Sequence, residues 1–426
     1  MITSIYERVR DSLFALPAVL IAGLGAFSWV ARRLDALLPA DTPWLLPTTV
    51  DSTRAILSTV ATATITVAGI VFSMTAVVVQ LATTQLSPRV TQGLLRDRYQ
   101  QITIGVSVGT FVYALLVLAD VHGTEERPFS THDFSATLAV ALGVVSLLFI
   151  VYFIDRTMRM MRIDTVIRRL ADATESAIGD LPDRGAPADG LGSIPSNEAG
   201  TTVDVTRTGW VTGVDFNRIL AAVPEETVVR VDLRVGDFIT RREVAARTWP
   251  AVDSAAAEAI AASIATARTR TIANDPSYGI RQLVDIALRA LSPSLNDATT
   301  GSDVVHHLGG PVQALILRDL PGRVLGDDGG RRIYMPRALT HSDYIHAAFR
   351  EIRLTSAGQP HVLHALVETL ASLIAVARAA DRESRVTALQ AEANATLAVV
   401  EESGLPEADR EYVLEFARQL GLAEAE

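Results

Sequence analysis

The chain has 426 residues and a formal net charge of −10, and hydrophobic residues make up 49% of it. It contains no cysteine, which excludes disulfides, thiol nucleophiles and cysteine-ligated metal centres. All 38 basic residues are arginine, so Schiff-base chemistry and the lysine of a phosphate-binding P-loop are excluded as well.

The charge is unevenly distributed along the chain. Residues 1–162 hold twelve arginines against eleven acidic residues, whereas residues 163–426 hold 26 arginines against 37 acidic residues. The acidic second part lacks the positive field that attracts phosphates, so no nucleic-acid partner is expected. We predict a transmembrane domain over 1–162, followed by a cytoplasmic part.

Four uncharged runs in the first part are long enough to cross a bilayer core of about 30 Å. Arginines after the first run, and the lack of a small-residue cleavage site, argue against a removable signal peptide. Gly105 and Gly109 in the third run have the small-xxx-small spacing of closely packed helices, and the aliphatic fourth run is typical of a lipid-facing helix. The predicted spans cover about 12–31, 55–82, 99–119 and 134–154.

The distribution of arginine predicts the orientation, because cytoplasmic loops of membrane proteins carry an excess of positive charge. The N-terminus, the second connection and the segment after the fourth span hold ten arginines, whereas the first and third connections hold four. We therefore expect a multi-pass protein of the bacterial plasma membrane with both termini in the cytoplasm.

The second span has a polar face. Between Arg54 and Arg89 lie 34 residues without an ionisable side chain, more than the bilayer core requires, so we expect the helix to extend into the cytoplasm and end near Pro88. At about 100° per residue, hydroxyl-bearing and small residues fall on one narrow stripe. This hydroxyl stripe comprises Thr59, Thr62, Thr66, Gly69, Ser73, Ala76, Gln80, Thr84 and Ser87.

Two uses of the hydroxyl stripe stay open at this point. It can line a pore, where hydroxyls solvate ions without a fixed charge, or it can pack against another helix of the same protomer. In the second case the arginines beyond the span only set the topology. The first case makes Thr59, Thr62, Thr66, Gly69, Ser73, Gln80 and Thr84 pore-lining residues, with Arg89, Arg96 and Arg98 at the cytoplasmic mouth.

The second part is expected to be a cytoplasmic α+β domain. An arginine-rich amphipathic helix is predicted over 155–178, so residues 163–200 form a connecting helix and a Gly- and Pro-rich linker. Alternating apolar residues predict a small β module over 201–250, and helical periodicity predicts a helical bundle over 251–426. The expected fold class is mainly α, a four-helix transmembrane domain followed by this α+β domain.

No pattern in the chain indicates catalysis or a cofactor. It has no GxSxG, GxGxxG or Walker sequence. His361 and His364 are one helical turn apart, but no third metal ligand accompanies them, so no metal site is predicted. The polar clusters at 275–276 and 296–297 are explained by helix capping and turns. We therefore expect no enzyme, no cofactor and no metal.

Two segments are distinctive: FSMTAVVVQLATTQLSPRVTQGLLRDRYQ at 72–100 and NDPSYGIRQLVDIALRALSPSLNDATT at 274–300. Both resemble a family of predicted bacterial membrane proteins catalogued as domain of unknown function 2254. The arrangement of four spans and a cytoplasmic part is similar over nearly the whole chain. After Asn296 this chain has Asp-Ala, where the family is expected to have Asp-Pro. The resemblance implies the architecture and supplies no catalytic residues.

The favoured hypothesis is a homo-oligomeric channel or pore lined by the second span and regulated by the cytoplasmic domain. Its expected partners are the lipid bilayer, further copies of the chain and ions of unassigned sign. The alternative is a membrane-anchored sensor or scaffold whose cytoplasmic domain binds protein partners, with the hydroxyl stripe used only for helix packing. A transporter is less favoured, because no intramembrane acid or base marks a coupling site.

Overall fold

The computed structural model describes residues 15–38, 42–85, 98–121, 132–160, 162–181, 200–327 and 329–422, without the side chains of 81–85 and 160. The chain is mainly helical and divides into two compact units, Met1–Arg162 and Ile163–Glu426. Each unit has its own buried core.

The described part of the first unit is a bundle of four helices. Helices α3 and α4 each pack against the other three. The four helices coincide with the four predicted spans, although α2 and α4 are longer than predicted, and the expected end of α2 near Pro88 lies outside the described residues. Their bounds are α1 (Ala15–Asp35), α2 (Val50–Gln85), α3 (Arg98–Leu118) and α4 (Asp133–Met160).

Two glycines bring α3 close to α1. A Cβ atom on Gly105 would lie 2.7 Å from Leu20 Cδ1 and 3.0 Å from the Cα of Pro17. A Cβ atom on Gly109 would lie 2.7 Å from Leu24 Cδ1. Only glycine permits these approaches, which confirms the close packing predicted from the small-xxx-small spacing.

The second unit begins with helix α5 (Ile163–Gly179), which corrects the prediction of one helix over 155–178. Helix α4 ends at Met160 before α5 begins. The apolar face of α5 includes Val166, Ile167 and Ile178, all buried within the second unit. This helix is therefore a core element of the unit rather than a connector, while most of the predicted linker lies outside the described residues.

Eight short strands in the described part of the second unit form two sheets. The larger has the order β1-β5-β3-β8-β7 and the smaller β4-β2-β6; the β3–β8 pair is parallel and the others are antiparallel. Short helices follow β2 and β5. The bounds are β1 (Thr201–Asp204), β2 (Gly209–Val214), α6 (Phe216–Ala222), β3 (Val228–Val231), β4 (Phe238–Ile239), β5 (Val244–Trp249), α7 (Ser254–Ala262), β6 (Ile264–Ala267), β7 (Val324–Gly326) and β8 (Arg332–Tyr334).

The β module is larger than the predicted 201–250, because β6, β7 and β8 come from beyond residue 250. Ile264 and Ile333 join its buried core beside Val229. The alanine-rich stretch after residue 253 is helical only as far as Ala262, and Ser263 ends that helix before β6 pairs with β2. The pairing of β6 with β2, together with the burial of Ile264, outweighs the helical propensity of alanine here.

Six longer helices complete the second unit as far as the structure describes it. Asp275 and Asp297 cap the first two, with their carboxylates accepting hydrogen bonds from the backbone N–H groups of Tyr278 and Thr300. This confirms the capping predicted for 275–276 and 296–297. The bounds are α8 (Pro276–Ala290), α9 (Ala298–Leu317), α10 (His341–Thr355), α11 (Pro360–Ala379), α12 (Glu383–Glu402) and α13 (Glu407–Gln419).

The tight contact between α5 and α8 can be tested by its effect on stability. A Cβ atom on Gly279 would lie 2.0 Å from Oγ1 and 2.9 Å from Cβ of Thr174, a buried β-branched residue that cannot move aside. We expect Gly279→Ala to lower the free energy of unfolding by about 1–3 kcal/mol, measured by thermal unfolding of the full-length protein. In the matched control Gly310→Ala, the close atom is the flexible end of Glu175, so a smaller loss is expected. Equal losses would contradict this explanation.

Candidate functional site

The described hydroxyl stripe lies on the exposed side of α2. Its residues from Thr59 to Gln80 are exposed, and nothing lies within 4 Å of a Cβ atom built on Gly69. The opposite side of the helix buries Leu57, Ala61 and Val71. Among the described residues, no helix of the same protomer packs against the stripe.

The buried side of α2 holds the helix in the bundle. Leu57 and Ala61 pack with Tyr113 of α3 and Ala139 of α4 in one apolar cluster. Farther along, Val71 and its neighbours pack with α3 and α4 in a second cluster. These two clusters determine which side of α2 faces inward, and they leave the hydroxyl stripe facing outward.

The threonine hydroxyls of the stripe are oriented by their own helix. Thr59 Oγ1 donates to the carbonyl oxygen of Ala55 at 2.7 Å, and Thr66 Oγ1 donates to that of Thr62, also at 2.7 Å. Thr62 Oγ1 makes the same kind of bond to Ser58. Each hydroxyl proton is thus used within the helix, and the oxygen lone pairs are left to accept from outside.

The structure places only part of the predicted cytoplasmic mouth. Arg98 begins α3 and is exposed. Ser87, Arg89 and Arg96 lie outside the described residues, and the side chain of Thr84 is not described although its backbone belongs to α2. The mouth therefore stays a prediction.

A buried polar cluster lies where α1 ends and α4 begins. The Asp35 carboxylate, with its side chain only 3% exposed, accepts hydrogen bonds from the backbone N–H groups of Phe134 and Ser135. The Ser135 hydroxyl donates to the same carboxylate, and His132 Nδ1 lies 3.5 Å from its Oδ2 atom. Asp35 thus supplies acceptors to the free N–H groups at the start of α4 and holds the end of α1 against it.

This cluster was missed in the sequence, where Asp35 reads as a loop residue after the first span. No local sequence pattern indicates this cluster, because Asp35 and Ser135 are 100 positions apart. A buried carboxylate near a membrane span is expensive and is kept for a structural or functional reason. Here its hydrogen bonds assign it to joining α1 and α4.

Removal of this carboxylate should weaken the bundle. We expect Asp35→Ala to cost about 3–5 kcal/mol, because it leaves the N–H groups of Phe134 and Ser135 and the Ser135 hydroxyl without their acceptor. The control is Asp120→Ala, which breaks the pair with Arg32 at a site where the Asp120 side chain is 49% exposed and should cost about 0–1 kcal/mol. Thermal unfolding of both variants in detergent measures the difference. A wild-type midpoint for Asp35→Ala would contradict the role given to the cluster.

Comparison with known proteins agrees with the helical membrane architecture. An uncharacterized protein of Mycobacterium bovis is 29% identical to this chain over 429 residues, which span 96% of this chain and 80% of the relative. An uncharacterized protein of Mycobacterium tuberculosis H37Rv shows the same identity and coverage. No solved structure matches the chain. The model of the family described as predicted membrane protein (DUF2254) matches residues 10–372. The chain therefore belongs to this family of predicted membrane proteins.

Proposed function

We propose that this protein is a homo-oligomeric channel or pore of the bacterial plasma membrane, in which α2 of each copy lines the conducting path. Both termini are cytoplasmic, and the second unit is a regulatory domain. No enzymatic activity is part of the proposal. The observation that supports it most is the exposed hydroxyl stripe on a membrane helix whose other side is buried.

Five described helices are long and apolar enough to cross a membrane, namely α1 to α4 and α11. We propose that only the first four do so. Helix α11 packs against α9, α12 and α13 of the second unit, and 56% of its most apolar window is buried there. Such burial explains its apolar composition as that of a core helix. An even number of spans also keeps both termini on one side.

The hydroxyl stripe suits a wetted surface between copies of the chain. Its positions recur every three or four residues, so a second copy of α2 can approach along the whole described stripe. Arranged around an axis, the outward threonine oxygens form rows of acceptors that can replace part of the hydration shell of a cation. The proposed path is therefore lined by acceptors without fixed charge.

Oligomeric state tests this proposal first. Native mass spectrometry of the detergent-solubilised protein should show a closed oligomer, and the purified protein should conduct in a planar bilayer. A strictly monomeric protein would contradict the channel, because one copy of α2 cannot enclose a path.

A membrane-anchored sensor or scaffold is the second candidate. One observation favours it: since the threonine hydroxyls already donate to the backbone of α2, the stripe can pack against another copy without water. This candidate predicts an oligomer that does not conduct. It also predicts that full-length protein retains a specific protein partner when isolated after cross-linking in cells.

A further inference from the structure

The second unit contains a cavity of about 470 Å³, within the range of small-molecule sites. It is walled by the end of α5, the junction of β2 and α6, the loop after β3, and the starts of α8 and α10. Most of the wall is apolar. Its apolar side chains include Leu181, Val214, Phe216, Leu233, Met335 and Leu339. All of these elements belong to one compact unit.

The charges in the cavity wall are mostly negative, and some of them are paired. Asp275 is neutralised by Arg270, whose Nη2 lies 2.6 Å from its Oδ2 atom. Arg234, the one arginine in the wall, is paired with Asp237, with Nε and Oδ1 3.3 Å apart.

Two further carboxylates in the wall, Asp180 and Asp215, are exposed and form no ion pair with any residue that the structure describes. The only hydrogen bond of the Asp215 side chain in that part of the chain is the cap of α6, where Oδ1 accepts from Arg218 N at 3.1 Å. The cavity therefore carries two carboxylates that no cation of the described chain balances.

The largely buried Tyr344 also lines the cavity. Tyr344 is 8% exposed, and its hydroxyl forms no hydrogen bond with another described residue. Burial raises the pKa of Tyr344 to about 12, so the hydroxyl stays protonated at neutral pH and can donate. A buried polar group of this kind gains a hydrogen bond when a ligand supplies the acceptor.

We propose that this cavity binds a small, largely apolar molecule that carries a protonated amine and a hydrogen-bond acceptor. The apolar wall buries the body of the molecule, Asp180 and Asp215 pair with the ammonium group, and Tyr344 donates to the acceptor. An anionic ligand is disfavoured, because Arg234, the only arginine among the described residues of the wall, is already paired. The inference deepens the regulatory role given to the second unit, but binding itself does not depend on conduction by the first unit.

The test uses dansylcadaverine, a fluorescent molecule with an apolar ring system, sulfonamide acceptors and a primary ammonium group. Titration into full-length protein in detergent, with empty micelles subtracted, should give a saturable rise in fluorescence. The N-acetylated probe, which has no charge, should bind at least about tenfold more weakly. Equal affinity for the two probes, or no saturable binding of the charged one, would overturn the proposal.

Variants locate the binding. Asp180→Asn/Asp215→Asn should weaken dansylcadaverine binding by about tenfold or more, and asparagine still caps α6. The matched control is Asp253→Asn, which changes the capping residue of α7 outside the cavity and should bind as the wild type does. Gly213→Leu keeps both carboxylates and places a side chain in the cavity wall, where the nearest atom to a Cβ is 4.0 Å away. Wild-type affinity in either the double variant or Gly213→Leu would place the probe elsewhere.

Discussion

Ser73→Trp and Thr66→Trp are each expected to reduce the conductance of the reconstituted protein by about tenfold or more. Both residues belong to the hydroxyl stripe and are exposed on the side of α2 that faces away from the bundle. In the proposed oligomer, each copy would place an indole in the path and remove one hydroxyl that solvates the ion. The measurement is single-channel recording in planar bilayers, at protein amounts matched by immunoblotting.

The control for this result is Phe72→Trp. Phe72 precedes Ser73 and is 51% exposed, but it points about 100° away around the helix, toward lipid in the proposed arrangement. The conductance of the Phe72→Trp variant should equal that of the wild type. If Ser73→Trp and Thr66→Trp conduct normally while remaining oligomeric, the stripe does not line the path. If they become monomeric and lose conduction together with the oligomer, the stripe is a packing surface.

Gly105→Leu is expected to destabilise the membrane bundle by about 1–3 kcal/mol or more. The first added carbon would lie 3.0 Å from the Cα of Pro17, and backbone cannot rotate away as a side chain can. The helices α1 and α3 would have to separate, and the contacts beside Gly109 would open with them. Thermal unfolding in detergent, followed by circular dichroism, measures the loss.

Gly23→Leu is the matched control, since nothing lies within 4 Å of a Cβ atom on that glycine of α1. It adds the same side chain to a membrane helix and should leave the midpoint near that of the wild type. Equal destabilisation in both variants would mean that leucine itself, rather than the α1–α3 contact, is responsible.

The sequence predicts the helices of the first unit, because their length and hydropathy are those that a bilayer imposes on a helix that crosses it. The predicted spans therefore coincide with α1 to α4, and the spacing of Gly105 and Gly109 is enough to predict a close helix contact. Helical periodicity also predicts that the hydroxyl stripe lies on one side of α2. Periodicity does not say what covers that side, so only the structure shows that the stripe faces outward.

Features that depend on distant residues escaped prediction. Asp35 meets the start of α4 through hydrogen bonds that no local pattern encodes. The strand β6 lies in an alanine-rich stretch whose local preference is helical, and its pairing with β2 decides the outcome. The cavity of the second unit is likewise assembled from segments that are far apart along the chain, between Ala177 and Tyr344. Local sequence carries little information on such sites.

The parallel pairing of β3 with β8 has a consequence for biosynthesis. A hundred residues separate Val231 from Arg332, and they include α7, α8 and α9. While these residues are being translated, β3 has β5 on one side and an unpaired edge on the other, which is open to other chains. The five-stranded sheet can be completed only after Tyr334 has left the ribosome, when β8 is available to pair with β3. A fragment that ends at residue 250 would keep that open edge permanently, so we expect it to aggregate rather than to fold as a domain.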